Sequence, residues 1–197
     1  MTLIRPGRFE PTLASHRMND SLGEPMTTNA ISSNRQNTLA GGLWMVDTAH
    51  SSATFTVRKL GFIVKGSVPI GSGQISIGPD GYAERAAGTI ELSAIDTGNK
   101  RRDKDLRKPN FLDLDNYPMM TFVARDIVRT ESGLQVAGEA QVRGQQVPLE
   151  FDVSVDGDRM IATATLDRCA FGLKVPRFLI GRYVSVTVEA VVRRADR

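Results

Sequence analysis

One histidine and one cysteine fall in the patterned part of the chain, His50 and Cys169. In "TAHSS", His50 stands beside Ser51 and Ser52. Neighbours on a strand point to opposite faces, so this adjacency is not a triad, and no nucleophile-elbow motif accompanies it. His50 is expected to be a hydrogen-bonding histidine at a strand start, because proton transfer requires a geometry that spacing alone does not supply. One histidine and one cysteine cannot assemble a structural zinc site, and no acidic calcium loop is present. "GSVPIGSG" is glycine-rich but joins no strand to a helix, so it is not a phosphate loop. No metal and no cofactor is expected. Arg102 and Asp103 read as a buried pair anchoring a helix. Arg168, in "LDRCAFG", reads as a strand arginine that needs a partner or an anionic ligand if it points inward. Cys169 beside it reads as an inert, buried thiol.

The densest charge is in "GNKRRDKDLRKPNFLDLDNYP", residues 98–118, where Lys100–Lys108 holds six basic and two acidic side chains, a local +4. The whole chain is only +3, with residues 1–43 at +1, so the patterned region outside this run is −2. Such a surface does not track phosphates over a whole face. Tyr and Trp are scarce, and no nucleic-acid-reading motif is present, so no nucleic-acid partner is expected. The run also alternates its signs. It reads as a short helix capped by Asn99 and ended by Pro109, with Arg101–Asp105 and Asp103–Arg107 pairing at i,i+4.

The elements that must position these residues are strands. Residues 1–42 show little periodicity and read as a disordered leader, or as an extension upstream of a true start at Met18 or Met26. From residue 43 to 195 the period is 2. Val147, Leu149, Phe151, Val153 and Val155 alternate with Pro148, Glu150, Asp152 and Ser154; Val184, Val186, Val188, Ala190 and Val192 alternate with Ser185, Thr187 and Glu189. Leu134–Val142 and Ala53–Val57 repeat the pattern. These are half-buried antiparallel strands. Less regular strands are expected at 68–78, 86–95, 119–129 and 159–170, with a short apolar link at "KLGFIVKG". The fold class is therefore all-β: about eight antiparallel strands in a barrel or sandwich, with short helices in one crossover. The inward face is mostly Val, Ala, Leu and Gly. A barrel lined this way either leaves room for an elongated apolar ligand or closes into a tightly packed core.

No stretch has the length of a transmembrane helix and the opening residues have no signal-peptide core, so no stable membrane insertion and a cytoplasmic location are expected. A closed barrel has no open edge that calls for a dimer, and a homodimer stays open as an oligomeric state.

The landmarks resemble the YceI-like family of lipocalin-like barrels. The resemblance rests on Trp44, Asp47, His50 and Ser51 in "LWMVDTAHSS", and on Thr97–Asn99, Arg102, Asp103, Leu106, Phe111, Tyr117, Pro118 and Phe122 across the crossover. It continues in Gly138, Arg143 and Gly144, and in Asp167, Arg168, Phe171 and Gly172. Asn110 and Leu112 depart from the family's Asp-Phe-Phe element. The resemblance implies an eight-stranded antiparallel barrel that binds a long-chain apolar ligand, a polyisoprenoid, isoprenoid quinone or other lipid, without catalysis. By strand parity the expected lining is Phe55, Val57, Ile90, Leu92, Phe122, Val136, Ala140, Leu149, Phe151, Val153, Val186 and Val188. His50, Arg102 and Arg168 are the candidates for a head group at the mouth. The alternative is an enzyme acting on a lipid or isoprenoid quinone, with His50 or Asp103 as acid/base.

Overall fold

Antiparallel hairpins follow one another along the chain until the last strand returns to the first. The computed structural model describes residues 39–173 and 180–195. The expected leader therefore lies outside the described residues except for its last four, of which Gly42 already opens a strand. The strands are β1 (Gly42–Val46), β2 (Ser52–Lys59), β3 (Phe62–Val68), β4 (Ile70–Ile77), β5 (Ala83–Ile90), β6 (Met120–Thr130), β7 (Gly133–Val142), β8 (Gln145–Asp156), β9 (Arg159–Asp167) and β10 (Ile180–Arg194). Their order is β1-β4-β5-β6-β7-β8-β9-β10, closed by pairing of β1 with β10, and β2–β3 extends from β10.

The ten strands make eight staves. β1 and β2 are halves of one stave and pair with different parts of β10, Val192–Arg194 for β1 and Ile180–Glu189 for β2. The break is a single 3-10 turn at Thr48–His50. β3 and β4 are halves of the next stave, broken at Pro69, which has no N–H to give a ladder. The link expected at "KLGFIVKG" is in fact the hairpin that joins these two staves, with Lys59 opposite Phe62. The barrel is closed, so the edge problem of an open sheet does not arise around the ring.

Alternation places the apolar face inward, and local irregularities keep it there. In β6, Ala124 pairs with Gly138 but Asp126 pairs with Ala137, so Arg125 is an extra residue. This bulge turns Asp126 outward and lets Ile127 continue the inward row opposite Val136. It also explains why the 119–129 segment alternates poorly as a sequence. Glycines make room for rings: a Cβ at Gly66 would run into the Phe55 ring, and one at Gly138 into the Phe122 ring and the Val123 carbonyl.

Between β5 and β6 the chain leaves the ladder. A 3-10 turn covers Leu92–Ala94, α1 covers Lys100–Leu106, and turns lead on to Met120. The strand expected to reach residue 95 ends at Ile90, and Leu92 lies on the 3-10 turn, still buried. This crossover docks on the free side of β3 through a Ser67–Asp96 bridge. It sends Leu92 and Leu114 into the core, where Phe171 joins them from the turn after β9. Asn99 caps α1 as expected, accepting from the Arg102 N–H at 3.0 Å.

Candidate functional site

The barrel interior is the candidate site. The twelve residues expected from parity are all buried or half-buried. Leu92, Val136, Ala140 and Leu149 are buried. Phe55, Val57, Ile90, Phe122, Phe151, Val153, Val186 and Val188 are half-buried. The register makes neighbours of several of them: Phe55 pairs with Val186, Phe151 with Val136, and Phe122 with Ala140. Phe122 and Phe151 meet edge to face, with ring centroids 5.1 Å apart. Phe55, Ile90, Phe122, Phe151 and Val188 pack against the buried cluster and keep part of their surface accessible.

The wall has a seam. The β8–β9 ladder runs from Asp156↔Arg159 only as far as Asp152↔Thr163. Upstream on β8 stands Pro148, which has no N–H to offer β9. A recess of about 650 Å³ lies over this seam, lined by outward residues such as Glu150 and Thr165 together with the inward-facing Leu149, Ala164 and Val186.

The three head-group candidates do not converge, and each already has structural partners. His50 is on the outer wall at the break between β1 and β2, its Nδ1 2.8 Å from Asp47 Oδ2. Asp47 also pairs with Arg193, and Ser51 ties the break to β10 by accepting from the Val191 N–H at 2.9 Å. Arg168 was expected within a strand but stands just past the end of β9, where its N–H donates to the Arg182 carbonyl. Between Arg182 and Val191 the length of β10 separates Arg168 from His50 by about 30 Å.

Arg102 and Asp103 do not anchor the helix by pairing with each other; both grip Thr97, which is buried. Asp103 Oδ1 accepts from the Thr97 N–H and hydroxyl, while Arg102 donates to Thr97 Oγ1 and to the Thr97 carbonyl, both at 2.6 Å. The sequence marks Thr97 only as part of the "TGN" element of the family resemblance, and spacing gives no sign that it organises the two charged residues. Thr97→Val keeps the shape but removes the hydroxyl from both charged partners. It should cost about 1–3 kcal/mol in urea unfolding, and an unchanged midpoint would show that the hub is dispensable.

The expected i,i+4 pairs of α1 are also redrawn. Arg107 reaches Asp115 at 2.8 Å and the Ser93 carbonyl at 3.1 Å, and Lys108 takes Asp105 at 2.6 Å. Arg143, at the β7–β8 turn, donates to the carbonyls of Pro109 and Gly172 and so clamps the crossover to the turn after β9. The partners of Arg107 and Arg143 lie outside helical reach, which is why spacing misassigned them, whereas Lys108–Asp105 is an i,i+3 pair.

Three carboxylates are held below the ordinary range. The Arg182 hydrogen bond does this for Asp167, and the Lys108 hydrogen bond for Asp105, both against a smaller desolvation effect. At Asp47 desolvation pushes upward, but the His50 hydrogen bond and the Arg193 charge together outweigh it. The unfolded chain then binds protons more readily than the native one. Stability from these groups is complete above the unfolded carboxylate value of about 4 and is lost as pH falls through the lower native values. Asp167→Asn should flatten the decline of the unfolding midpoint between about pH 4 and pH 2; a slope identical to wild type would remove Asp167 from this account.

A family model described as YceI-like domain matches residues 44–192. A UPF0312 protein of Vibrio cholerae serotype O1 (strain ATCC 39315 / El Tor Inaba N16961) is 29% identical over 119 residues, 58% of this chain and 63% of that protein. Protein YceI of Escherichia coli O157:H7 is 28% identical over 75 residues, 38% of this chain and 39% of that protein. The chain thus matches less than two thirds of the length of these curated relatives. Among solved structures, BcnA of Burkholderia cenocepacia superposes with a TM-score of 0.64 at 21% identity, covering 75% of this chain and 99% of that one. A polyisoprenoid binding domain from Saccharophagus degradans, implicated in plant cell wall breakdown, gives 0.55 at 14% identity, covering 77% and 98%. At these identities the structural likeness establishes the barrel.

Proposed function

The chain belongs to the YceI-like family, and from that premise we propose that it holds a long-chain apolar molecule, an isoprenoid or related lipid, inside the barrel and carries or sequesters it without catalysis. The observation that carries this reading is the half-burial of the inward apolar side chains. Phe55, Val57, Phe122, Phe151, Val153, Val186 and Val188 lie inside a closed ring and still present surface to water. A chain of methylenes laid along them would remove that surface. Each CH₂ buried is favourable by about 0.8 kcal/mol, so a long tail needs no charged contact for affinity. The like-folded domain described as polyisoprenoid binding supports the ligand class.

The proposal makes no use of His50, Arg102 or Arg168 as head-group contacts, because their hydrogen bonds serve the frame. No observation favours the enzyme reading: His50 faces Asp47 on the outer wall, and Asp103 is occupied by Thr97. Native mass spectrometry followed by solvent extraction tests the carrier reading. A co-purifying apolar molecule is the expected result. Folded protein that is empty from several hosts and takes up no polyprenyl alcohol would defeat it.

A further inference from the structure

The β2–β3 hairpin ends at the rim of the barrel, where Lys59 pairs with Ile180 at the start of β10. Val57 opposite Val64, beside Val184 of β10, is the last rung of its face with half-buried side chains; the next rung of that face is Lys59 opposite Phe62. Beyond that rung the hairpin turns through Leu60 and Gly61, both at positive φ. Three large apolar side chains at this tip face water: Phe62 is 77% exposed, Ile63 63% and Leu60 58%. Phe62 and Ile63 are consecutive, so both faces of the strand are uncovered here. A cluster of this kind on an otherwise alternating sheet marks a surface that meets something apolar.

Cations surround the tip. Lys59 is the register partner of Phe62. The Ser67–Asp96 bridge fastens the crossover to β3, and α1 begins a few residues later with the exposed Arg101 on its first turn. Lys108 bonds Asp105 at 2.6 Å, and the charges of Arg101 and Lys59 both act on that carboxylate. Three cations thus act on one carboxylate on this side of the barrel.

We propose that the β2–β3 tip docks this rim reversibly on the surface of an anionic lipid bilayer, with Leu60, Phe62 and Ile63 entering the acyl boundary and Lys59, Arg101 and Lys108 meeting the head groups. The pairing of features selects the partner. A nucleic acid would use the cations and leave three apolar side chains in water. An apolar protein groove would cover the side chains and gain nothing from the cations. An anionic bilayer satisfies both at the depth each requires. The inference goes beyond the carrier reading and does not depend on cargo, since docking is measured with none added.

The test is sedimentation of the full chain with vesicles of phosphatidylcholine alone, and of equal parts phosphatidylcholine and phosphatidylglycerol. Binding is expected to the mixed vesicles, to fall with added salt, and to be weak on phosphatidylcholine. Leu60→Ser combined with Phe62→Ser and Ile63→Ser should weaken it at least about tenfold. Lys59→Gln with Arg101→Gln should weaken it about tenfold or more on the mixed vesicles alone. All these positions are exposed, so the variants should keep the wild-type unfolding midpoint. The proposal is overturned by absence of binding to the anionic vesicles, by equal binding to both compositions, or by a triple variant that binds like wild type. It is also overturned if the wild type is a dimer that the triple variant converts to monomer, because a second copy would then cover the tip.

Discussion

Replacing Arg168 with Met should lower the free energy of unfolding by about 3–5 kcal/mol. Arg168 is only 4% exposed, and its guanidinium is committed to backbone carbonyls: Nε to Gly181 at 2.7 Å, Nη1 to Leu173 at 3.1 Å and Nη2 to Ile180 at 2.6 Å. These bonds tie the turn after β9 to the start of β10. Methionine fills much of the volume but leaves the three carbonyls without their donor, and hydrogen bonds from a charged donor are worth about 1.5–3 kcal/mol each before non-additivity. Lysine should recover little, because an ammonium on a flexible stem cannot reproduce a planar fork aimed at three acceptors. Urea unfolding reads the effect as a fall in midpoint at constant slope. If the variant were as stable as wild type but bound its apolar ligand poorly, Arg168 would be a ligand contact instead of a structural one.

Replacing Val153 with Trp should reduce uptake of a fluorescent polyprenyl probe at least about tenfold while costing less than about 1 kcal/mol of stability. Val153 is an inward position on β8, between Leu134 of β7 and Ala162 of β9, and is half-buried. In a close-packed core an indole there would force side chains off their rotamers, at about 1–3 kcal/mol or more. In an interior with space the ring lies where the ligand would. The two measurements together separate these cases: a large stability loss with undiminished uptake elsewhere would mean that the core is filled at this level and the ligand does not pass it.

Much of the architecture was legible because strand pairing follows local rules. Period 2 in Val147–Val155 and Val184–Val192 marks both strand and inward face, and turn residues mark the ends. Parity alone put Phe55, Phe122, Phe151 and Val186 on inward strand faces. The reading slipped where one residue changes the register or the chain leaves the ladder. The extra residue at Arg125 reverses parity in β6. "KLGFIVKG" passed for a connecting link because its turn uses Leu60 and Gly61 at positive φ, with apolar residues where polar ones usually mark a hairpin.

Composition and alternation by themselves determined an all-β barrel or sandwich with an inward face of small apolar residues and a capped helix in one crossover; the family resemblance pointed to the barrel, and ring closure decided it. Tertiary structure alone decided the partners of the polar side chains. Asp103 turned from Arg107 to Thr97, His50 became part of the hinge in the first stave, and Arg168 bound the carbonyls at the start of β10. It also decided that Phe62 and Ile63 stand in water while Phe122 and Phe151 share the interior. The reason is one of range. A strand's face is set by the backbone geometry of adjacent residues, whereas a hydrogen-bond partner or a neighbour across the barrel is set by ring closure, which brings together residues that no local spacing connects.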